Sequence, residues 1–180
     1  MRDLGLLIVR LTVGGLLAGH GAQKLFGTFE GHGLEGTAGF LESMGLRPGK
    51  QWAMAAGAGE FGGGLLTALG LLSPLGPITL LGPMAMATGK VHWNKPIWGA
   101  AGGAELPVTN MAVGLALMLA GPGNLSLDRL FGIRLPRLVS ATGIAVTAAG
   151  VAMGLLAAPP ETSGNESTAG GELQAESGVS

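Results

Sequence analysis

The sequence predicts an all-α integral membrane protein: a four-helix bundle, a fifth transmembrane helix and a disordered C-terminal tail. Only 12% of its 180 residues are charged and 47% are hydrophobic, whereas a soluble domain normally carries about 25% charged residues. Apolar residues form several runs near the length that a bilayer requires, about 20 residues. Many of the 35 glycines lie inside those runs, and small residues are enriched where membrane helices approach closely.

Composition also excludes several classes of function. The chain has no cysteine, which rules out disulfides, thiol catalysis and iron–sulfur clusters held by Cys. Its formal net charge is −1 at pH 7, so no basic field points to nucleic acid as a partner.

The first predicted span is Leu4 to Ala22, an apolar run interrupted by Arg10 and His20. A secretory signal peptide is the alternative, but an arginine in mid-run and the lack of a small-residue cleavage motif argue against it. A polar, glycine-rich connection follows. Apolar residues from Leu34 to Met44 recur there at helical spacing, which predicts a short amphipathic helix at the membrane interface.

Three further apolar segments complete the predicted bundle. The second span is Trp52 to Leu72, and its tryptophan suits the membrane–water boundary. The sequence SPLGP at 73–77 predicts a tight turn, so the third span, Pro77 to Val91, runs antiparallel to the second. The fourth span is Leu106 to Ala120.

The predicted domain organisation follows changes in composition. Residues 1–130 form the four-helix bundle, and residues 131–158 hold a basic loop and a fifth span, Val139 to Ala158. Residues 159–180 are rich in Gly, Ser, Thr and Glu and contain no Lys or Arg. Such a segment buries too little apolar surface to fold, which predicts a disordered acidic tail.

The loop charges bear on orientation. Five basic residues lie on one predicted side of the membrane and four on the other. The loop after the fourth span is dense in arginine, so we expect a cytoplasmic N-terminus under the positive-inside rule.

Ionisable residues at membrane depth are costly and usually face the bundle interior. Antiparallel threading brings the end of the first span, the start of the second, the end of the third and the start of the fourth to one side. One arginine lies deeper, near the middle of the first span. The candidate polar intramembrane cluster is Arg10, His20, Lys24, Glu60, His92 and Glu105.

Two interpretations of this cluster are open. In the structural one, Arg10 and Glu60 differ in depth by roughly 6 Å from the helical rise and form an ion pair that holds the first two spans together. In the functional one, His20, Glu60, His92 and Glu105 line a polar pocket that hydrogen-bonds a quinone head group or relays protons.

No catalytic residue and no metal site are predicted. Two histidines and two acids are too scattered for a dedicated metal site. The G-x-G-x-x-G pattern at 57–62 matches a dinucleotide-binding fingerprint literally. Because no strand precedes it and it lies in a predicted membrane helix, close helix packing explains it better.

Four stretches carry a family resemblance: RLTVG at 10–14, HGAQKLFG at 20–27, GEFGG at 59–63 and GPGNLSLD at 121–128. In this order, with apolar spans between them, they resemble the DoxX family of small bacterial membrane proteins over about residues 5–130.

The resemblance implies a four-helix bundle in the bacterial inner membrane and a role in redox work. Some members resemble the membrane subunit of thiosulfate:quinone oxidoreductase, and others are linked to oxidoreductase complexes in oxidative-stress and thiol handling. The family's polar positions here are Arg10, His20, Lys24, Glu60, Glu105 and Asp128, and its motif loop supplies Gly121, Pro122, Gly123, Ser126 and Asp128.

We therefore expect a multi-pass subunit that anchors an oxidoreductase, with quinone as the candidate cofactor and no catalysis by this chain alone. Expected partners are the lipid bilayer, a membrane-associated or soluble oxidoreductase and a second copy of the chain. Two alternatives remain: a small transporter or permeability protein, and a purely structural or assembly protein of the membrane. The lack of a clear inverted repeat counts against the transporter.

Overall fold

The computed structural model describes residues 1–158; residues 159–180, for which a disordered acidic tail is predicted, lie outside the described residues. Within residues 1–158 the elements are helical and no strand occurs, which confirms the all-α class. Each predicted span corresponds to a helix, and the predicted short helix of the first connection is also present. The helices are α1 Arg2–Phe26, α2 Gly33–Ser43, α3 Gly49–Leu69, α4 Leu75–Met86, α5 Glu105–Ala120, α6 Leu127–Phe131 and α7 Arg137–Leu156.

Local departures from regular helix fall at two places. A π-helical turn at Arg10–Gly14 lies within α1, and another at Ala87–Val91 continues α4. Glycines in the left-handed conformation end α1 and α3, with φ of 70° at Gly27 and 61° at Gly70. These are the positions where glycine commonly stops a helix, because a residue with a Cβ would be strained there.

Glycines set the register between α1 and α3. A Cβ at Gly14 would lie 2.6 Å from the backbone of Gly64 and of Ala68, and a Cβ at Gly21 would lie 2.6 Å from Cα of Phe61. Neither position has room for a side chain, so the two antiparallel helices touch backbone to backbone. Such contacts are typical of helix pairs in membranes.

The remaining helices pack around α3 and α4. Helix α2 packs on α3, and α4 packs on α3, α5 and α7. Helix α7 packs chiefly along α4, where Thr147 meets Gly82 and Leu155 meets Gly89. The fifth predicted span is thus a helix on the outer side of α4, two residues closer to the N-terminus than predicted at each end.

Length and composition single out two described helices as able to cross a membrane. They are Arg2–Phe26, with a mean hydropathy of 1.5, and Arg137–Leu156, with a mean hydropathy of 1.8. Helix α5 is apolar but shorter, at 16 residues. The four-span bundle therefore remains a prediction, because these criteria do not include α3 or α4.

Candidate functional site

A partly buried ion pair joins α1 to α3. Glu60 is 2% exposed, and its carboxylate accepts a hydrogen bond from Nζ of Lys24. The contact of Gly21 with α3 brings the two helices close enough for this pair, one turn from Lys24. A buried carboxylate without a partner would be costly, so Lys24 makes it tolerable to keep Glu60 inside the helix bundle.

The predicted ion pair between Arg10 and Glu60 is wrong. The glycine contacts place Arg10 beside Gly70, at the C-terminal end of α3. Ten residues of helix separate Gly70 from Glu60, about 15 Å by the helical rise. The expected 6 Å came from counting depth from the predicted span ends, whereas the actual register follows the glycine contacts.

The ion pair forms part of the wall of a cavity of about 380 Å³, which lies between α2, α3, α4 and α7. Lys24, Glu60 and Lys90 supply the charges of its wall, and Thr37, Thr79 and Thr147 supply hydroxyl groups. The rest of the wall is mostly apolar or aromatic, as with Trp52, Met86 and Val151. The arrangement suits a molecule with a large apolar part and a small polar head.

Lys90 and α7 are contributors to this cavity that the predicted site does not include. Lys90 donates a hydrogen bond to the carbonyl of Ala157, just beyond the end of α7. Helix α7 lines the cavity with Val146, Thr147 and Gly150. Helical spacing places 146, 147 and 150 on one face of α7, but the sequence has no signal for what that face contacts.

Besides Arg10, three members of the predicted cluster lie outside the cavity wall. Nδ1 of His20 is 3.1 Å from Oε1 of Gln23 on an exposed part of α1. Nδ1 of His92 is 2.6 Å from the carbonyl oxygen of Gly102. Within residues 1–158, neither these histidines nor Glu105 line the cavity.

Glu105 instead closes a loop. Its Oε2 accepts a hydrogen bond of 2.7 Å from the backbone N–H of Gly99. The structure therefore joins Lys24 to Glu60 from the predicted cluster, whereas Arg10, His20, His92 and Glu105 make other contacts. Within residues 1–158, no group of three or more His, Asp or Glu side chains could hold a metal ion.

Arg10 holds the opposite end of the bundle together. It is 3% exposed, and its guanidinium donates to the carbonyls of Pro122 and Leu125. Both acceptors belong to the glycine-rich loop after α5. An arginine that satisfies loop carbonyls from inside a helix bundle acts as a structural clamp.

Asp128 connects the same loop to the turn between α3 and α4. Its carboxylate accepts hydrogen bonds from the N–H groups of Leu72, at 2.8 Å, and Ser73, at 2.7 Å, in the α3–α4 turn. Ser126 caps α6 by accepting from the N–H of Arg129. Gly121 and its neighbour at 123 have φ of 75°, a conformation that favours glycine. The motif loop 121–128 thus consists of residues whose contacts are structural.

Comparison with known families decides the identity of the first half. The family model described as DoxX matches residues 5–93. This segment belongs to the DoxX family. No curated protein and no solved structure matches it significantly.

The DoxX match covers α1 to α4, including both members of the Lys24–Glu60 pair and Lys90. It ends before Glu105 and the loop 121–128, so the second part of the expected resemblance lies outside the matched residues. Helix α7 also lies outside them. In this DoxX protein, the matched segment supplies the charged groups of the cavity, and α7 adds a wall.

Proposed function

We propose that this DoxX protein is an integral membrane subunit of a redox complex, which anchors an oxidoreductase and receives a quinone in the cavity. The observation that carries the proposal is the pair formed by the buried Glu60 and the half-buried Lys24 at the wall of an otherwise mostly apolar cavity. The proposed location is the bacterial inner membrane, with the N-terminus in the cytoplasm.

The distribution of polar groups supports insertion in a bilayer. The buried side chains include Arg10, Glu60 and Asp128, whereas large apolar side chains such as Leu16, Leu119 and those of α7 are exposed. Exposed large apolar side chains recur along α7, at Leu138, Val146 and Leu156 among others, and an apolar surface of this kind is typical of an interaction or membrane site. A membrane protein faces lipid with its apolar residues and turns its charges inward.

The cavity fits the chemistry of a quinone. Its volume of about 380 Å³ lies in the range of small-molecule sites, about 300–1,000 Å³. The apolar wall suits an isoprenoid tail. At the polar end, the ammonium group of Lys24 is a donor for a head-group carbonyl, and the carboxylate of Glu60 is an acceptor for a head-group hydroxyl.

A bound quinone supplies the capacity to accept two electrons and two protons. The residues of this chain orient the head group and hold a proton at the carboxylate–ammonium pair. The docked oxidoreductase supplies the electrons. This division of work makes the chain a membrane subunit that does not catalyse the reaction alone.

Purification from native membranes in mild detergent tests the proposal. Mass spectrometry of the preparation is expected to find a stoichiometric oxidoreductase and extractable quinone. A chain that purifies alone and without quinone would sink the redox role. Solute flux through liposomes that contain only this chain would then favour the alternative of a small transporter.

A further inference from the structure

Three arginines cluster in the short segment that links α6 to α7. Arg129 lies in α6, Arg134 in the connection and Arg137 at the first position of α7. All three are exposed. We call this set the arginine corner (Arg129, Arg134 and Arg137).

The arginine corner has no acidic partner among the described residues. Within residues 1–158 the ion pairs closer than 4 Å are Lys24–Glu60 and Lys50–Glu35, both at the other end of the bundle. The acids near the corner are Asp3 and Asp128. Asp3 accepts hydrogen bonds from Asn124, and Asp128 accepts them from the α3–α4 turn.

The two ends of the bundle differ in charge. At the corner end, the five arginines 2, 10, 129, 134 and 137 and the two aspartates 3 and 128 leave three positive charges in excess. At the other end, counting residues 1–158 only, five basic residues (24, 47, 50, 90 and 95) balance five glutamates (30, 35, 42, 60 and 105). The positive field is therefore confined to the end that holds the arginine corner.

Large apolar side chains lie next to the arginines in the sequence. Leu130 is 72% exposed, Phe131 is 65% exposed and Leu138 is 76% exposed. An exposed segment that alternates arginines with large apolar side chains matches the boundary between lipid head groups and acyl chains. The surface of an acidic soluble protein would satisfy the arginines but would not require these three apolar groups.

We propose that the arginine corner binds the phosphate groups of anionic phospholipids, while Leu130, Phe131 and Leu138 enter the acyl region beside them. Guanidinium groups bind phosphate oxygens in bidentate fashion, which makes arginine suited to this task. The site is separate from the quinone cavity. It rests on the proposed insertion of the chain in a bilayer.

The test uses the full chain in bilayers of equal parts phosphatidylglycerol and phosphatidylcholine. After extraction in mild detergent, mass spectrometry counts the lipids that stay bound. Phosphatidylglycerol is expected to exceed its share of the bilayer. The triple variant Arg129→Gln, Arg134→Gln, Arg137→Gln loses this enrichment, with about a fivefold loss of preference for each charge removed.

A matched variant removes three positive charges from the balanced end: Arg47→Gln, Lys50→Gln, Lys95→Gln. It is expected to keep the enrichment. Equal losses in both triple variants would overturn the proposal, because net charge alone would then explain the preference. High salt applied to the unmodified chain gives a second measurement that needs no variant, since screening should abolish the enrichment.

Three further outcomes overturn the site in distinguishable ways. If the unmodified chain enters bilayers but retains the two lipids equally, the arginine corner does not select anionic lipid, whereas the membrane proposal stands. If the chain does not enter bilayers, the proposed insertion fails and the lipid site fails with it. Retention of an acidic soluble protein without lipid enrichment would assign the corner to that partner.

Discussion

At the scale of single residues, Glu60 and Lys24 have unequal environments. The carboxylate is almost fully buried, whereas the side chain of Lys24 is 33% exposed. Removal of the lysine leaves a buried charge without a partner. Removal of the acid leaves an ammonium group that still reaches solvent or lipid head groups. The two single substitutions should therefore differ in their effect on stability.

We expect Lys24→Met to lower the free energy of unfolding by about 3 kcal/mol, at the lower end of values for broken buried ion pairs. Glu60→Gln should cost less. The double variant Lys24→Met, Glu60→Leu should recover most of the loss, because apolar replacement of a buried pair is often neutral. Thermal unfolding in detergent measures all three, and a double variant no more stable than Lys24→Met contradicts the buried-charge argument.

Asp128 allows a second residue-scale prediction. Its two carboxylate oxygens accept from the N–H groups of Leu72 and Ser73. Asp128→Asn keeps the shape but leaves one of these N–H groups facing an amide NH₂, which should cost about 1–3 kcal/mol. Asp3→Asn is the comparison, because its hydrogen bonds to Asn124 are exposed. Equal unfolding temperatures for the two variants would rule out a structural role for the buried carboxylate.

The sequence identified both Lys24 and Glu60 as candidate residues, but it did not predict that they form an ion pair with each other. A glutamate within an apolar helix is conspicuous because of its cost, so Glu60 is predicted as an interior residue. Its partner depends on which glycines of α1 and α3 touch. Several registers of small residues are equivalent in the sequence, and the actual one brings Lys24, instead of Arg10, to Glu60.

At the scale of elements, α7 contributes a wall of the cavity. A Cβ added at Gly150 would meet nothing within 4 Å, and this glycine lines the cavity. A Cβ therefore fits at this position, and we expect a larger side chain there to occupy part of the cavity. Gly62 on α3 is a suitable comparison. A Cβ there also meets nothing within 4 Å, but Gly62 does not line the cavity.

We expect Gly150→Leu to reduce bound quinone at least severalfold in the purified protein, because leucine fills part of the cavity. Gly62→Leu should leave bound quinone unchanged and controls for replacing a helical glycine by leucine. Extraction and chromatography of quinone from both preparations measure the effect. An equal quinone content in the two variants would exclude this cavity as the binding site.

Helix bounds could be predicted well, because glycine and proline punctuate the apolar runs. The predicted third span of Pro77 to Val91 corresponds to α4 and its π-helical continuation. Helix α6 was not predicted, since a helix of five residues has too few positions to show a period. The sequence predicted a pocket at Glu60 but not its mostly apolar wall, because that wall depends on how α2 and α7 pack at the sides of α3 and α4.

At the scale of the whole molecule, the unequal ends bear on orientation. The end with the arginine corner carries the excess of positive charge, and positive loops favour the cytoplasmic side. This end also holds the N-terminus, because α1 begins there. The charge distribution therefore agrees with the proposed cytoplasmic N-terminus.

Reporter fusions test this orientation. A reporter active only in the cytoplasm, fused to the N-terminus, is expected to be active. A reporter active only outside the cytoplasm should be silent at the same position. The reverse pattern would contradict the proposed orientation and would place the arginine corner on the outer face of the membrane.

The close contact of α1 with α3 has a consequence for communication through the molecule. Because a Cβ at Gly14 or Gly21 would collide with the backbone of α3, the two helices meet there without intervening side chains. We expect this contact to keep α1 and α3 in register, so that Lys24 and Glu60 stay on facing turns. In the proposed complex, a movement passed from a docked protein to the cavity is therefore expected to involve α4 and α7, whose contacts at Gly82 and Gly89 are made by the side chains of Thr147 and Leu155.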